Sequence, residues 1–248
     1  MTRTLDLNCD LGEGIGDEAA ILPYITSASI ACGEHAGDPA TMRQTAAACL
    51  AQGVAMGAHP SWPDRAGFGR REMTLPPEEV YRLVQRQITQ LADIVRALGG
   101  RLRHVKPHGA LYNQAARDEL LAGTVARAVL DLDAGLVLFG LAGSRLIAAG
   151  RACGLRTASE VFADRTYQRD GSLTPRSQPG ALLESASAAV AQVRRMVMAG
   201  VVRSVDGVDV PIQADTICLH GDQPQAPAFA RDLRTELAVE EIAWKEPC

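Results

Sequence analysis

The sequence predicts an α/β protein whose parallel strands close, or nearly close, into a barrel with helices outside it. Three observations carry this. Short strand-like runs alternate with helical periods along the 248 residues, the pattern that βα units produce. Seven such strands are readable. Polar motifs fall just after six of them, as they do where chemistry is built on the C-terminal rim of a barrel. A doubly wound sheet fits less well, because its site gathers at one switch point to which few strands contribute.

The strands and helices follow in order. Residues 4–13 alternate strictly: Leu5 and Leu7 face one way, Asp6, Asn8 and Asp10 the other. The run enters the tight turn Gly12-Glu13-Gly14 and stays acidic at Asp17 and Glu18. Residues 28–38 repeat the plan, a small-residue strand followed by Gly33 and Glu34-His35. Asp38 then caps a helix that has Pro39 at its first position, runs to about Gln52 and stops at Gly53, with Met42, Ala46, Cys49 and Leu50 as its apolar stripe. The third strand, 54–58, ends in His59-Pro60. The loop 61–71 carries Trp62, Asp64, Arg65, Phe68, Arg70 and Arg71, and reads either as a lid with an anion clamp or as a solvent-exposed connection.

Pro76-Pro77-Glu78-Glu79 starts the longest helix, with carboxylates favourably in the first turn. Val80, Leu83, Val84, Ile88, Leu91, Val95 and Leu98 form its buried stripe. After Gly99-Gly100 comes a fourth strand, from His104 toward His108, and then a helix from about 115 to 130. The fifth strand, 136–140, is apolar throughout, as in a sheet covered on both faces. A short helix (145–151), a sixth strand (155–158), a polar loop (166–179) and a helix (181–199) follow. Residues 201–210 read as a hairpin turning at Asp206-Gly207. The seventh strand, 216–219, ends in His220-Gly221-Asp222, and a helix over 226–241 covers the sheet. No linker divides the chain, so residues 1–248 read as one barrel domain.

Composition narrows the function. Hydrophobic content of 47% is ample for a core, and 4% aromatics imply one made of Ala, Leu, Val and Ile. A net charge of −4 and a pI near 5.8, with no basic block, argue against a nucleic-acid partner. There is no apolar run of about 18 residues and no signal-peptide pattern, so a soluble, cytoplasmic protein without membrane contact is expected. Six cysteines without a CxxC pair read as free thiols in a reducing compartment.

The densest stretch is His104-Val105-Lys106-Pro107-His108-Gly109-Ala110-Leu111-Tyr112. Period-two alternation places His104, Lys106 and His108 on one face. Lys106 is one of only two lysines, the other being Lys245; a buried lysine must be partnered or catalytic. His35, His59, His108 and His220 all follow strands, with Asp10 and Glu13 at the end of the first. Such a set suits either a divalent ion, with Asp10, His35 and His59 as candidate ligands, or general acid–base work on an amide carbonyl. Glu160, Asp164 and Arg165 lie at the end of the sixth strand. Walker A and GxGxxG loops are both missing.

The motifs DLNCDLGEGIGD (6–17), IACGEHAGDP (30–39), GAHPSWPDRAGFGRR (57–71), VKPHGALYN (105–113), EVFADRTY (160–167) and CLHGD (218–222) span nearly the whole chain in order. In them the sequence resembles the LamB/YcsF family. The resemblance implies a seven-stranded TIM-like (β/α) barrel related to that of the polysaccharide deacetylases. It also implies cleavage of 5-oxoproline to L-glutamate coupled to ATP hydrolysis, as one of three 5-oxoprolinase components beside subunits B and C. On that basis Lys106, with Arg70 or Arg165, is expected to neutralise phosphate or carboxylate charge from a substrate and from ATP with Mg²⁺. Asp10, Glu13, His35, His59 and His108 would position water or a metal. Asp6, Asn8, Tyr112, Glu160, Asp164, His220 and Asp222 would complete the substrate- or phosphate-binding set. Two residues depart from the family pattern: Glu34, where Phe is usual, and Cys9, where Ala is common. Glu34 would raise the pKa of His35, complete a cation site or point outward. Two other readings stay open: a metal-dependent amidohydrolase of deacetylase type needing no ATP, and a non-catalytic subunit that only binds substrate. What distinguishes them is whether Lys106 and the histidines converge in a closed pocket or line an open groove.

Overall fold

The computed structural model describes residues 3–15, 17–183, 185–219, 226–238 and 242–247. In chain order they form β1 (Arg3–Leu11), α1 (Glu18–Ile21), β2 (Ser27–Ala31), α2 (Pro39–Gln52), β3 (Ala55–His59), α3 (Pro77–Ala97), β4 (Leu102–Val105) and α4 (Gly109–Ala115). Next come α5 (Glu119–Leu132), β5 (Val137–Leu141), α6 (Arg145–Ala152), β6 (Arg156–Phe162), α7 (Ala186–Ala199), β7 (Val201–Arg203) and β8 (Asp209–Pro211). β9 (Thr216–Leu219), α8 (Ala226–Ala238) and β10 (Ile242–Trp244) complete the order. Strands β1 to β6 pair in parallel in sequence order, and β9 pairs with both β6 and β1, so seven strands close a ring. β7 and β8 form the expected antiparallel hairpin outside it. β10, which the sequence did not announce, pairs in parallel with the first residues of β1. Among the described residues no helix is long and apolar enough to cross a membrane.

The period-two pattern of β1 sets the inside and outside of the ring. Leu5, Leu7, Cys9 and Leu11 pack into the large core under the helices. Asp6, Asn8 and Asp10 point inward and bond across the barrel. The Asp6 carboxylate accepts from Ser27 on β2 (2.8 Å), Thr216 on β9 (2.5 Å) and Thr26 (2.6 Å). Asn8 donates to Thr216 at 2.7 Å and to Glu160 on β6 at 3.0 Å. The lumen holds its own small apolar cluster of Val137, Phe139 and Ala158, separate from the outer core. The His104 ring stacks on Phe139 at 4.2 Å and lies 3.2 Å from the Ser29 hydroxyl. Burial first, and then Lys106, push His104 down to about 3, so it is a neutral packing residue of the lumen.

Burial raises Asp6 to about 6 from 3.8, against the lowering effect of its three hydroxyl donors. Its folded value exceeds its unfolded one, so its contribution to stability is complete below pH 3.8 and is lost as pH rises through about 6, by ~3 kcal/mol. Asp6→Asn cannot ionise and is expected to lack this fall. Urea unfolding of both proteins across that window checks it: parallel stability curves would contradict the assignment.

Helix ends follow local chemistry. Asp38 caps α2 by accepting from Thr41 N at 2.8 Å, Pro39 opens the helix, and Gly53 at φ 68° ends it. Thr45, rather than the expected Leu50, belongs to its buried face. The fourth strand is shorter than its alternation suggests, because Pro107 has no N–H to donate and α4 begins at Gly109. Even so, Lys106 N donates to Ala58 O (2.9 Å) and His108 N to Pro60 O (2.8 Å), which preserves the inward parity of both side chains. The single helix expected over 115–130 is two, α4 and α5, separated where Asp118 caps the second. α7 starts only at its Ser185 cap. The residues before it lace the preceding loop, through a bridge between Arg165 and Leu182 and a bond from Leu183 N to Asp164 O.

Candidate active site at the barrel mouth

Lys106 is buried at the top of the lumen, where four strands meet. Its Nζ lies 2.7 Å from Asp10 Oδ1, 2.8 Å from Glu160 Oε1, 2.9 Å from Asn8 Oδ1 and 3.3 Å from Cys218 Sγ. Burial alone favours loss of its proton, but Asp10, Cys218 and Glu160 outweigh it and hold the pKa well above the ordinary lysine value. The ammonium is therefore a permanent positive charge. The Tyr112 hydroxyl is buried nearby without an aligned hydrogen-bond partner. Burial and the Glu160 charge keep it protonated.

Above Lys106 stand three imidazoles and a carboxylate. His59, at the end of β3, has Nδ1 2.7 Å from Lys106 O, and its Nε2 lies 3.3 Å from Asp10 Oδ2 and 2.9 Å from His108 Nδ1. His108, the residue before α4, has Nε2 2.9 Å from Phe68 O and Nδ1 3.4 Å from Glu13 Oε1. His35 stacks on His108 with ring centroids 3.8 Å apart, and its Nε2 is 3.2 Å from Glu13 Oε1. Burial, then the neighbouring His59, lowers His35 to about 3 and drives His108 well below its ordinary value, so both rings are neutral at physiological pH. One ligand atom from each of Glu13, His35, His59 and His108 falls within 4.8 Å of every other.

The loop after β3 is built rather than loose. Trp62 is buried and donates to Gln114 Oε1 at 2.7 Å, and Ser61 exchanges two 2.9 Å bonds with Gln87 of α3. The Asp64 carboxylate gathers Gly67 N, Arg71 N and the Arg71 guanidinium. This geometry presents the Phe68 carbonyl to His108. The solvent-exposed reading of 61–71 therefore fails for its base, while Arg70 at its tip reaches the cavity.

A cavity of about 950 Å³ opens over this floor. Of the expected residues, Asp10, Glu13, His59, Arg70, Lys106, His108, Tyr112 and Arg165 line it. Others do not. Asp6 and Asn8 are sealed in the lumen, where three hydroxyls and the Lys106–Glu160 pair use them, so neither is a substrate ligand. Glu160 is fully buried as the counter-ion of Lys106, and Asp164 is buried behind the wall. His35 lies behind His108, outside the lining. Arg165 lines the cavity but spends donors on Thr174 O (2.6 Å) and Ala181 O (3.3 Å), so it also braces the loop 164–183. His220 and Asp222 lie outside the described residues. Glu34 points outward to Arg86 on α3 at 2.5 Å, which removes it from the histidine cluster.

Sequence reasoning missed several participants. Cys218 was legible from its shared parity with Thr216. The Phe68 carbonyl carries no side-chain signature. Arg117, paired with Glu72 at 2.6 and 2.7 Å, and Arg176 join the cavity wall from distant segments, and no spacing announces them. A second cavity, of about 730 Å³, is lined in part by Arg96, Arg101, Arg103 and Arg156 at the barrel's other end.

These features define a parallel (β/α) barrel protein with a titratable pocket at its C-terminal mouth. The chain belongs to the LamB/YcsF family, whose model matches residues 5–247. It is 58% identical over 248 residues to the A component of 5-oxoprolinase from Bordetella pertussis, covering 98% of both chains. It is 59% identical over 249 residues to that of Geobacillus kaustophilus, covering 99% of this chain and 97% of the relative. Among solved structures, the lactam utilization protein of Thermus thermophilus superposes with a TM-score of 0.91 at 43% identity, covering 98% and 99% of the two chains. The catalytic domain of a peptidoglycan N-acetylglucosamine deacetylase from Eubacterium rectale shares the fold, with a TM-score of 0.53 at 12% identity over 99% and 89% of the chains. The barrel is thus the seven-stranded TIM-like form related to that of the deacetylases.

Proposed function

We propose that this chain is the lactam-handling component of an ATP-dependent 5-oxoprolinase, acting with B and C subunits. The overall reaction is 5-oxoproline + ATP + 2 H₂O → L-glutamate + ADP + phosphate, with one water entering each cleaved bond. The observation that carries the reading is the buried Lys106 ammonium, held between Asp10 and Glu160 beneath His59 and His108 at the floor of a cavity with an arginine-bearing wall. It occurs in a chain very similar to proteins named as the A component of 5-oxoprolinase. A five-membered lactam is a resonance-stabilised amide; phosphorylating its oxygen makes the ring carbon electrophilic, so that one water adds there. The C–N bond then opens to leave an acyl phosphate and the free amine, and the second water hydrolyses the acyl phosphate to the carboxylate and phosphate. Lys106 is suited to neutralise charge developing on the oxygen. Above it, Glu13 and the imidazoles of His59 and His108 are placed to position the attacking water. Arg70 and Arg165 are placed to hold the substrate carboxylate and phosphate groups brought in with Mg²⁺. The loops that supply these arginines border the mouth, where a partner protein would dock and present the nucleotide.

The histidine cluster also favours a second reading, ATP-independent amide hydrolysis of the deacetylase type. One assay separates them: glutamate and ADP release from 5-oxoproline and ATP, by the purified chain and then with its B and C partners added. The expected result is no useful turnover alone, and glutamate and ADP in equal amounts with partners. ATP-dependent turnover by the chain alone would refute the shared site. ATP-independent hydrolysis would select the second reading, and inactivity even with partners would leave a component that only binds substrate.

A further inference from the structure

We propose that Glu13, His35, His59 and His108 form a binding site for one divalent transition-metal ion of the zinc or manganese class, at the junction of the lumen and the cavity. The inference stands on ligand geometry and does not need the lactam reading.

Two backbone carbonyls decide the tautomers. Lys106 O and Phe68 O can only accept, so His59 must carry its proton on Nδ1 (2.7 Å) and His108 on Nε2 (2.9 Å). The remaining nitrogens, His59 Nε2 and His108 Nδ1, face each other at 2.9 Å. Glu13 Oε1 is 3.4 Å from the second of them, and Asp10 Oδ2 is 3.3 Å from the first. One ligand atom from each of Glu13, His35, His59 and His108 thus lies within 4.8 Å of every other, close enough for a single ion to engage all four.

The details match metal chemistry. Ligating histidines commonly donate their other N–H to a carbonyl, which orients the ring and raises its basicity; both His59 and His108 do so. The third ring, His35, is buried with Nδ1 lacking a hydrogen-bond partner and Nε2 3.2 Å from Glu13 Oε1. Three nitrogens and one carboxylate select zinc-like ions over Mg²⁺ or Ca²⁺, which prefer all-oxygen shells. Asp10, a candidate from sequence, gives way to Glu13 and His108, because its Oδ1 serves Lys106 at 2.7 Å.

The test uses the full chain stripped with a chelator and then dialysed. Zn²⁺, Mn²⁺, Co²⁺ and Mg²⁺ are titrated separately by calorimetry, and the Co²⁺ form is examined by visible absorption. One equivalent of Zn²⁺ is expected, with strong d–d bands for a nitrogen-rich Co²⁺ site and far weaker Mg²⁺ binding. Glu13→Gln and His108→Gln should each weaken Zn²⁺ by about 100-fold or more, while Glu34→Gln should leave it unchanged. Circular dichroism identifies any variant that fails to fold, and Glu13→Gln, at the barrel rim, is the safer of the two. Less than about 0.1 equivalent of every transition metal after reconstitution would overturn the site. So would Zn²⁺ affinity unchanged in both variants, or a preference for Mg²⁺. None of these readouts depends on 5-oxoproline turnover, so failure of the lactam reading and failure of the metal site are distinguishable.

Discussion

Replacing Lys106 with Met is expected to lower 5-oxoproline turnover in the assembled enzyme by about 10²–10³-fold or more, the effect of removing a preorganised charge from a buried site. Met retains most of the apolar stem and loses the ammonium. The sequence alone suggests that such a variant would keep its stability, but the structure gives a different expectation. Lys106 neutralises Glu160, which is fully buried, and Asp10 at the rim. Without it these carboxylates remain in the lumen unbalanced, at a cost of roughly 3–5 kcal/mol, or about 10 °C in Tm for a chain of this size. A second substitution, Glu160→Gln, should recover much of that stability and none of the activity. Thermal unfolding and turnover of the single and double variants decide the matter. Near-normal turnover in Lys106→Met would remove the electrostatic role, and an unchanged Tm would contradict the buried ion pair.

Gly109→Ala is expected to damage both fold and site. Gly109 sits at φ 55°, and a Cβ there would stand 2.5 Å from Gly69 O and 3.1 Å from Gly69 C. Those are backbone atoms, so no side chain can swing aside. The same carbonyl accepts from Ala110 N at 2.9 Å, and the carbonyl before it, Phe68 O, orients His108. The left-handed conformation and the overlap together are expected to destabilise the protein by about 2–4 kcal/mol. Displacing the loop by even ~1 Å would also misplace His108, a geometric error that can reduce turnover by ~10²-fold. Gly123→Ala in α5 is the control: nothing lies within 4 Å of its Cβ position, so this change should be neutral or stabilise the helix by up to ~1 kcal/mol. If Gly109→Ala unfolds at the same urea concentration as Gly123→Ala, the close approach of the two loops is wrong.

Much of this protein was determined by its sequence alone, because period-two and helical repeats act over a few residues and survive without tertiary information. The inward row Asp6, Asn8, Asp10, the stripe of α3, the N-cap at Asp38 and the rim positions of His59, Lys106 and His108 all belong to that class. Closure of the ring was inferred from the number of polar strand ends, and the pairing of β9 with β1 and β6 supplies it. Depth was a different matter. Alternation says which way a side chain points but not how far down the lumen it sits. Asp6 and Asn8 therefore look like site residues in sequence, yet they form the sealed layer beneath Lys106. Tautomers, too, were invisible, since they are imposed by two carbonyls, Lys106 O and Phe68 O, the second from a loop about 40 residues before its histidine. Only the closed barrel, by bringing the ends of distant strands within hydrogen-bonding reach, decides which imidazole nitrogens face one another and which carboxylates hold the Lys106 ammonium.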